Sequence, residues 1–118
     1  MSTALHRASA NPVPKAATPM AFAQAIGQAY AQRGMDPAEV LNQAQITPDR
    51  LPDSQARITS GQFEALSAAA MRELDDEALG WFSRRLPWGS YGMLARASLS
   101  APTLGLALAR WCRHHALL

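Results

Sequence analysis

A chain of 118 residues with 48% hydrophobic residues is sufficient for one buried core, which excludes a disordered chain and a multidomain protein. The single cysteine, Cys112, excludes a disulfide framework and predicts a reducing, cytoplasmic setting. The net charge of +2 is small, and no uninterrupted apolar run reaches the roughly 20 residues that a membrane-spanning helix needs.

The chain begins with a segment of low hydrophobicity, MSTALHRASANPVPKAAT. It is rich in Pro, Ala and Ser and lacks the continuous apolar stretch of a signal peptide. We therefore predict that residues 1–18 form a flexible leader and that residues 19–118 form the folded part.

Two helices are predicted next. The first follows Thr18-Pro19 and ends at Gly34, a residue that suits a left-handed helix end. Its apolar residues recur at helical spacing and are Phe22, Ile26, Ala29 and Tyr30. In DPAEVLNQA, Asp36 is a candidate N-cap and Pro37 a first-turn residue, which predicts a short second helix.

A single turn opened by Thr47 and Pro48 precedes the most strongly marked helix of the chain. Thr59 and Gln62 form the two halves of a capping box. Behind them, one helical face carries Phe63, Leu66, Ala70 and Leu74.

Three further helices are predicted in the rest of the chain. Asp75 or Asp76 opens the first of them, which Pro87 ends, and its expected buried stripe is Leu79, Phe82 and Leu86. After the PWGS loop, YGMLARASL forms the next helix. The last helix has Ser100 as N-cap and Pro102 in its first turn, and it carries Leu104, Leu108 and Trp111 on one face.

The scarcity of β-branched residues determines the predicted fold class. Valine occurs only at Val13 and Val40, and no segment of four to eight residues alternates β-branched with polar side chains. We predict an all-α chain, a compact array of about six short helices. No repeat of fixed period is present, which excludes a solenoid.

Charge is distributed unevenly along the chain. All nine carboxylates lie within residues 36–77, whereas residues 78–118 contain no acid. The basic residues of this final third are Arg84, Arg85, Arg96, Arg110 and Arg113. Arginines near Trp and Tyr suit nucleic-acid binding, but five of them spread over some forty residues are more typical of solvated helix faces. We expect no DNA-binding residue in this chain.

A Cys-x-His-His group near the end of the chain is the one candidate for catalysis or metal binding. Cys112 and His115 lie one helical turn apart, close enough to share a soft metal. No second Cys or His pair accompanies them, and no Asn or Asp follows to orient a His beside a nucleophilic thiol. We therefore predict no metal site, no cofactor and no catalytic residue, and the chain is not expected to be an enzyme.

Five sequence pieces occur in an order that resembles a known family. They are RGMDP, QARI followed by QF, DDEALG, GSYGML and SAPTLGLALARW. Together they resemble the N-terminal, arabinose-binding-like regulatory domain of AraC/XylS-type transcriptional regulators, over about residues 20–114. The resemblance implies that residues 19–118 are the helical portion of a larger α+β effector and dimerisation domain. It also implies that DNA is read by a C-terminal helix-turn-helix region that this chain lacks.

The resemblance implies a small-molecule effector, a homodimer, and promoter DNA as a partner only through that missing region. An effector pocket needs apolar walls and a few polar groups, which makes Trp88, Tyr91 and nearby Arg85 the candidates for effector binding. Ordinary packing of two aromatic rings beside a surface arginine is the alternative for these three. For the chain as a whole, the alternative is a free-standing helical interaction module. The apolar end at Leu117 and Leu118 predicts a truncated portion of such a domain, with exposed leucines on its last helix.

Overall fold

The structure, a computed structural model, describes residues 13–118. It contains two strands, five α-helices and one turn of 3₁₀ helix. The strands are β1, Ala16–Pro19, and β2, Arg57–Thr59. The helices are α1, Met20–Gln32; α2, Ala38–Gln43; α3, Ser60–Leu74; α4, Ser90–Ser98; and α5, Leu104–His115. The 3₁₀ turn is Pro48–Arg50.

The two strands form a small antiparallel sheet, in which Thr18 pairs with Ile58. The prediction of a mostly helical chain is confirmed, but the all-α prediction is wrong in this detail. Strands of four and three residues are too short to show a clear alternation. The last residues of the predicted leader, 16–18, therefore belong to β1, while the leader prediction for residues 1–12 lies outside the described residues.

The buried core lies among β1, α1, α2, β2 and α3, which we call the N-terminal core. In α3, Leu66, Ala70 and Leu74 are buried as predicted, and they belong to the same buried cluster as Ile26 and Tyr30 of α1. The capping box is also present. The Gln62 amide donates to Thr59 Oγ1 at 3.0 Å, and the Thr59 amide donates to Gln62 Oε1 at 2.9 Å. Local signals thus determine where the main helix of the core begins.

No helix forms between α3 and α4, so the helix predicted from Asp75 to Pro87 is wrong. Asp75, Leu79 and Gly80 have φ angles of 49°, 51° and 81°, which a right-handed helix cannot accommodate. Leu79 and Leu86 are buried, but Phe82 is exposed. Residues 75–89, which we call the connecting loop, have no regular secondary structure but are held by several hydrogen bonds.

The helices α4 and α5 pack against each other and form a C-terminal helix pair. Leu94 is its one buried apolar residue, and α5 buries none. Thr103, and not Ser100, caps α5, because the Leu106 amide donates to Thr103 Oγ1 at 3.2 Å. Leu104 and Leu108 are exposed, as expected from the sequence. The molecule is elongated, with a radius of gyration of 18.6 Å, against about 13.5 Å for a compact chain of this length.

Candidate functional site

The three predicted site residues lie in or just after the connecting loop, but the structure does not bring them into one cavity. Arg85 lines a cleft of about 330 Å³, formed by residues 81–86 together with His115, Ala116 and Leu118. We call it the α5 cleft. Trp88 lines a different cleft, of about 460 Å³, which includes Arg96 and which we call the α4 cleft. Tyr91 lines neither of them.

Tyr91 contributes to packing in the helix pair. Its ring stacks on Trp111 of α5, with centroids 5.7 Å apart and planes at 15°. The ring of His115 lies 6.1 Å from it on the same side of the pair. These contacts are those of an aromatic cluster that joins α4 to α5. For Tyr91, the structure therefore favours the packing interpretation over a direct ligand contact.

The buried carboxylate of Asp76 organises the connecting loop. Its Oδ1 accepts hydrogen bonds from the amides of Ala78 and Leu86, both at 3.0 Å. Its Oδ2 accepts from the Gly80 amide at 2.9 Å and from Arg33 Nη2 at 2.7 Å. Four donors converge on one side chain, which anchors the loop against the end of α1.

The environment of Asp76 favours its charged form. Burial by itself raises the pKa of a carboxyl group, but the hydrogen bonds from the Leu86 amide, Arg33, and the Gly80 and Ala78 amides outweigh it. The pKa of Asp76 therefore lies below its ordinary value of 3.8. The Arg33 guanidinium also donates to the Leu74 carbonyl at 3.2 Å, so the pair ties the loop to both α1 and α3.

The two acids beside Asp76 also bind backbone amides. Asp75 Oδ1 accepts from the Trp88 amide at 2.9 Å, and Glu77 Oε1 accepts from the Tyr91 amide at 2.7 Å. Tyr91 is in the first turn of α4, whose N-cap, Gly89, has no side chain to offer. Glu77 therefore caps α4 from the loop, where sequence reasoning had assigned the acids to a helix of their own.

Trp88 links the loop to the N-terminal core. The guanidinium of Arg72, near the end of α3, lies over the Trp88 ring at 5.1 Å from its centroid. This is a cation–π contact, and about half of the Trp88 surface stays exposed beside it. Trp88 thus combines a structural contact with an accessible face.

The α5 cleft contains groups that sequence reasoning did not assign to a ligand. The Phe82 ring meets the His115 ring edge to face at 5.3 Å. Arg84 Nη2 donates to the Ala116 carbonyl at 3.1 Å, which closes the end of α5 against the loop. The one signal in the sequence was the absence of acids after residue 77, which leaves the arginines near the cleft without a carboxylate neighbour in that part of the chain.

The members of the Cys-x-His-His group lie in the last turn of α5 but have different surroundings. Cys112 is exposed as a free thiol, whereas His115 packs on Phe82. Within residues 13–118, no three His, Cys, Asp or Glu side chains are grouped as a metal site would require. No helix in this described part of the chain is long and apolar enough to cross a membrane.

Comparison with known proteins gives one match. Residues 34–118 match the family model described as the arabinose-binding domain of AraC transcription regulator, N-terminal. The matched residues include α2 to α5, the connecting loop and both clefts. No curated protein and no solved structure matches the chain.

Proposed function

The chain belongs to the family of N-terminal arabinose-binding domains of AraC-type transcription regulators, and from this membership we propose that it is the effector-sensing and dimerising portion of such a regulator. The family is a regulatory domain of transcription factors and not an enzyme family. The match over residues 34–118 carries the proposal. We further propose that a β-containing stretch completes the domain, and that a C-terminal helix-turn-helix region reads promoter DNA in the cytoplasm.

The proposed mechanism is a population shift. An effector that binds one arrangement of the connecting loop and the helix pair better than another raises the population of that arrangement. The helix pair then presents a different surface to a second copy, which changes how two DNA-binding regions are spaced. This chain supplies the sensing step, and the residues that contact DNA lie outside it.

The position of the connecting loop supports this proposal. Asp76 and Trp88 fasten the loop to the N-terminal core, and Arg84 fastens it to the end of α5. A ligand in either cleft contacts this loop and the helix pair or the residues after it, and the loop in turn is bonded to the N-terminal core. Of the three effector-binding candidates, Arg85 and Trp88 are each exposed in a cleft, and because the clefts differ we keep them as alternative ligand contacts and assign Tyr91 a supporting role.

A ligand panel tests the proposal. The purified chain is heated with L-arabinose, which the family description suggests, and with neutral sugars, amino acids, nucleosides and aromatic carboxylates. Because a ligand that binds the folded state stabilises it, one class is expected to raise Tm by a few degrees at a concentration about 100 times its Kd. Sedimentation with and without that class should show a change in self-association. If no class raises Tm and the chain stays monomeric at every concentration, the proposal is wrong.

A second function, a free-standing helical interaction module, is favoured by one observation. Leu104 is 75% exposed and Leu108 is 57% exposed on α5, which is an apolar surface suited to another protein. The reading frame beyond codon 118 discriminates between the two functions. Strands and two helix-turn-helix patterns there support the regulator, whereas a stop codon supports the module.

A further inference from the structure

We propose that the α5 cleft is the effector site and that its ligand is a small arylalkyl monocarboxylate, an inference that rests on the proposed sensing function. The cleft brings two arginines of the loop, Arg84 and Arg85, to the end of α5 beside His115. Its volume of about 330 Å³ is near the lower end of the range for ligand sites, which suits a small molecule.

The charge of the cleft points to an anion. None of the side chains that line it is acidic, and the backbone carboxylate of Leu118 forms no ion pair with either arginine. The nearest acids along the chain are already engaged, since Asp76 binds Arg33 and Glu77 binds the amide of Tyr91. In residues 13–118 the single ion pair is Arg33–Asp76, so neither cleft arginine is neutralised by a carboxylate of that segment.

The donors that an anion needs are accessible. Arg85 is exposed and, among the described residues, its side chain donates no hydrogen bond. Arg84 uses one Nη2 contact to the Ala116 carbonyl and keeps its other N–H groups. A guanidinium presents paired N–H groups whose spacing matches the two oxygens of a carboxylate. One carboxylate between two arginines therefore fits this cleft better than a neutral polyol does.

The aromatic side chains that line the cleft indicate the chemistry of the uncharged part of the ligand. Trp81 is 70% exposed and Phe82 is 48% exposed, and both line the same cleft as the arginines. Large aromatic rings left exposed beside arginines that form no ion pair within residues 13–118 suit a ligand with a flat apolar body and an anionic head. The ring would lie on Phe82, and a short alkyl spacer would carry the carboxylate to Arg84 and Arg85.

The test uses 3-phenylpropionate as the probe and the whole chain labelled with ¹⁵N. At low ionic strength we expect saturable amide shifts centred on residues 81–86 and on His115 and Ala116. Two matched probes separate the contributions: 3-phenylpropionamide has the ring without the charge, and propionate has the charge without the ring. Because a hydrogen bond to a charged group is lost in the amide, it should bind at least about tenfold more weakly. Propionate should also bind more weakly, since it lacks the ring.

Charge-matched variants locate the site. Arg85→Gln and Arg84→Gln should each weaken binding of 3-phenylpropionate by about tenfold. Arg113→Gln, the same change on α5 outside the cleft lining, should leave Kd within about twofold of the native value. Arg85→Gln is the more decisive variant, because the Arg85 side chain forms no hydrogen bond within residues 13–118 that the change would remove.

Several outcomes overturn the inference. It is wrong if the amide binds as well as the carboxylate, if the shifts map away from the cleft, or if Arg113→Gln weakens binding as much as Arg85→Gln. It is also wrong if L-arabinose or another neutral ligand binds to the chain and 3-phenylpropionate does not. That outcome would leave the proposed sensing function intact. If no ligand class binds and the chain does not associate, the site and the proposed function both fail.

Discussion

The N-terminal core and the C-terminal helix pair differ in how they use similar helices. In the core, α3 buries Leu66, Ala70 and Leu74 along one face. In the helix pair, α5 has leucines at the same four-residue spacing, but Leu104 and Leu108 are exposed and no residue of α5 is buried. An amphipathic pattern thus determines that a helix forms, whereas the presence of a partner for its apolar face depends on the rest of the fold.

The largest expected effect comes from removing a core leucine. Leu66→Ala should lower the free energy of unfolding by about 2–5 kcal/mol, because it leaves a cavity in the fully buried core. The matched change Leu108→Ala on α5 should shift it by less than about 0.5 kcal/mol. Urea denaturation followed by circular dichroism measures both. Equal losses of unfolding free energy would show that the leucine face of α5 is as well packed as that of α3.

The carboxylate that fastens the connecting loop to the N-terminal core should give the next largest effect. Asp76→Asn should cost about 3 kcal/mol, the lower end for a broken buried ion pair, because the Arg33 side chain is still 24% exposed. Asp53→Asn is the matched control, since Asp53 accepts a single amide bond in an exposed turn. Chemical denaturation at pH 7 compares them, and a loss below about 1 kcal/mol for Asp76→Asn would mean that the loop does not depend on this carboxylate.

The same residue predicts a pH dependence. Because the pKa of Asp76 is lowered in the folded chain, its contribution to stability is fully present above the ordinary value of 3.8 and is lost as pH falls through the lower folded value. Unfolding of the native chain should therefore require less urea with each step below pH 4. Asp76→Asn should show a shallower decline, and identical pH profiles for the two chains would contradict the assignment.

Two glycines of the connecting loop test how closely it packs on the core. Both have positive φ, 81° at Gly80 and 96° at Gly89. An added Cβ at Gly80 would lie 2.9 Å from Ala29 Cβ, whereas one at Gly89 would meet nothing within 4 Å. Gly80→Ala should therefore cost about 2 kcal/mol and Gly89→Ala about 1 kcal/mol. Thermal unfolding measures the difference, and a larger loss at Gly89 would be incompatible with this contact.

The smallest expected effect compares the two threonine caps. Thr59→Ala removes a reciprocated capping box from α3 and should cost about 1–2 kcal/mol. Thr103→Ala removes one hydrogen bond from α5 and should cost about 0.5 kcal/mol. Hydrogen exchange should report the second change only within α5. If it spreads into α3, the helix pair and the core unfold as one unit.

The misassigned segment after Leu74 shows where reasoning from the sequence fails. DDEALG has the acids of a helix N-terminus, yet Asp76 binds Arg33, which lies 43 positions away along the chain. The buried ion pair and three backbone hydrogen bonds stabilise the irregular loop by more free energy than the helix propensity of the segment would supply. Glu77 likewise caps α4 and not a helix of its own. The Ala78 and Gly80 amides lie within four residues of Asp76, but Arg33, Leu86 and Tyr91 are ten or more positions from the acids they bind, so no local pattern contains them.

The sequence suggested some residues of the candidate site but not their arrangement, because the arrangement also depends on contacts between distant segments. Arg85 and Trp88 were identified from their residue types, but the structure places them in different clefts. Phe82 was expected to be buried, whereas it faces His115 at the rim of the α5 cleft. The position of His115 depends on how α5 packs beside α4, which spacing along one helix cannot determine.

The sequence by itself determined the features that depend on neighbouring residues. These include the capping box at Thr59, the buried face of α3, the end of α1 near Gly34 and the membership of a regulatory family. The tertiary structure alone decided the pairing of β1 with β2, the coiling of the connecting loop around Asp76, and the meeting of Arg84 with the end of α5. Caps and helical faces follow from interactions within four residues, whereas a sheet, a buried ion pair and a cleft require segments that only folding brings together.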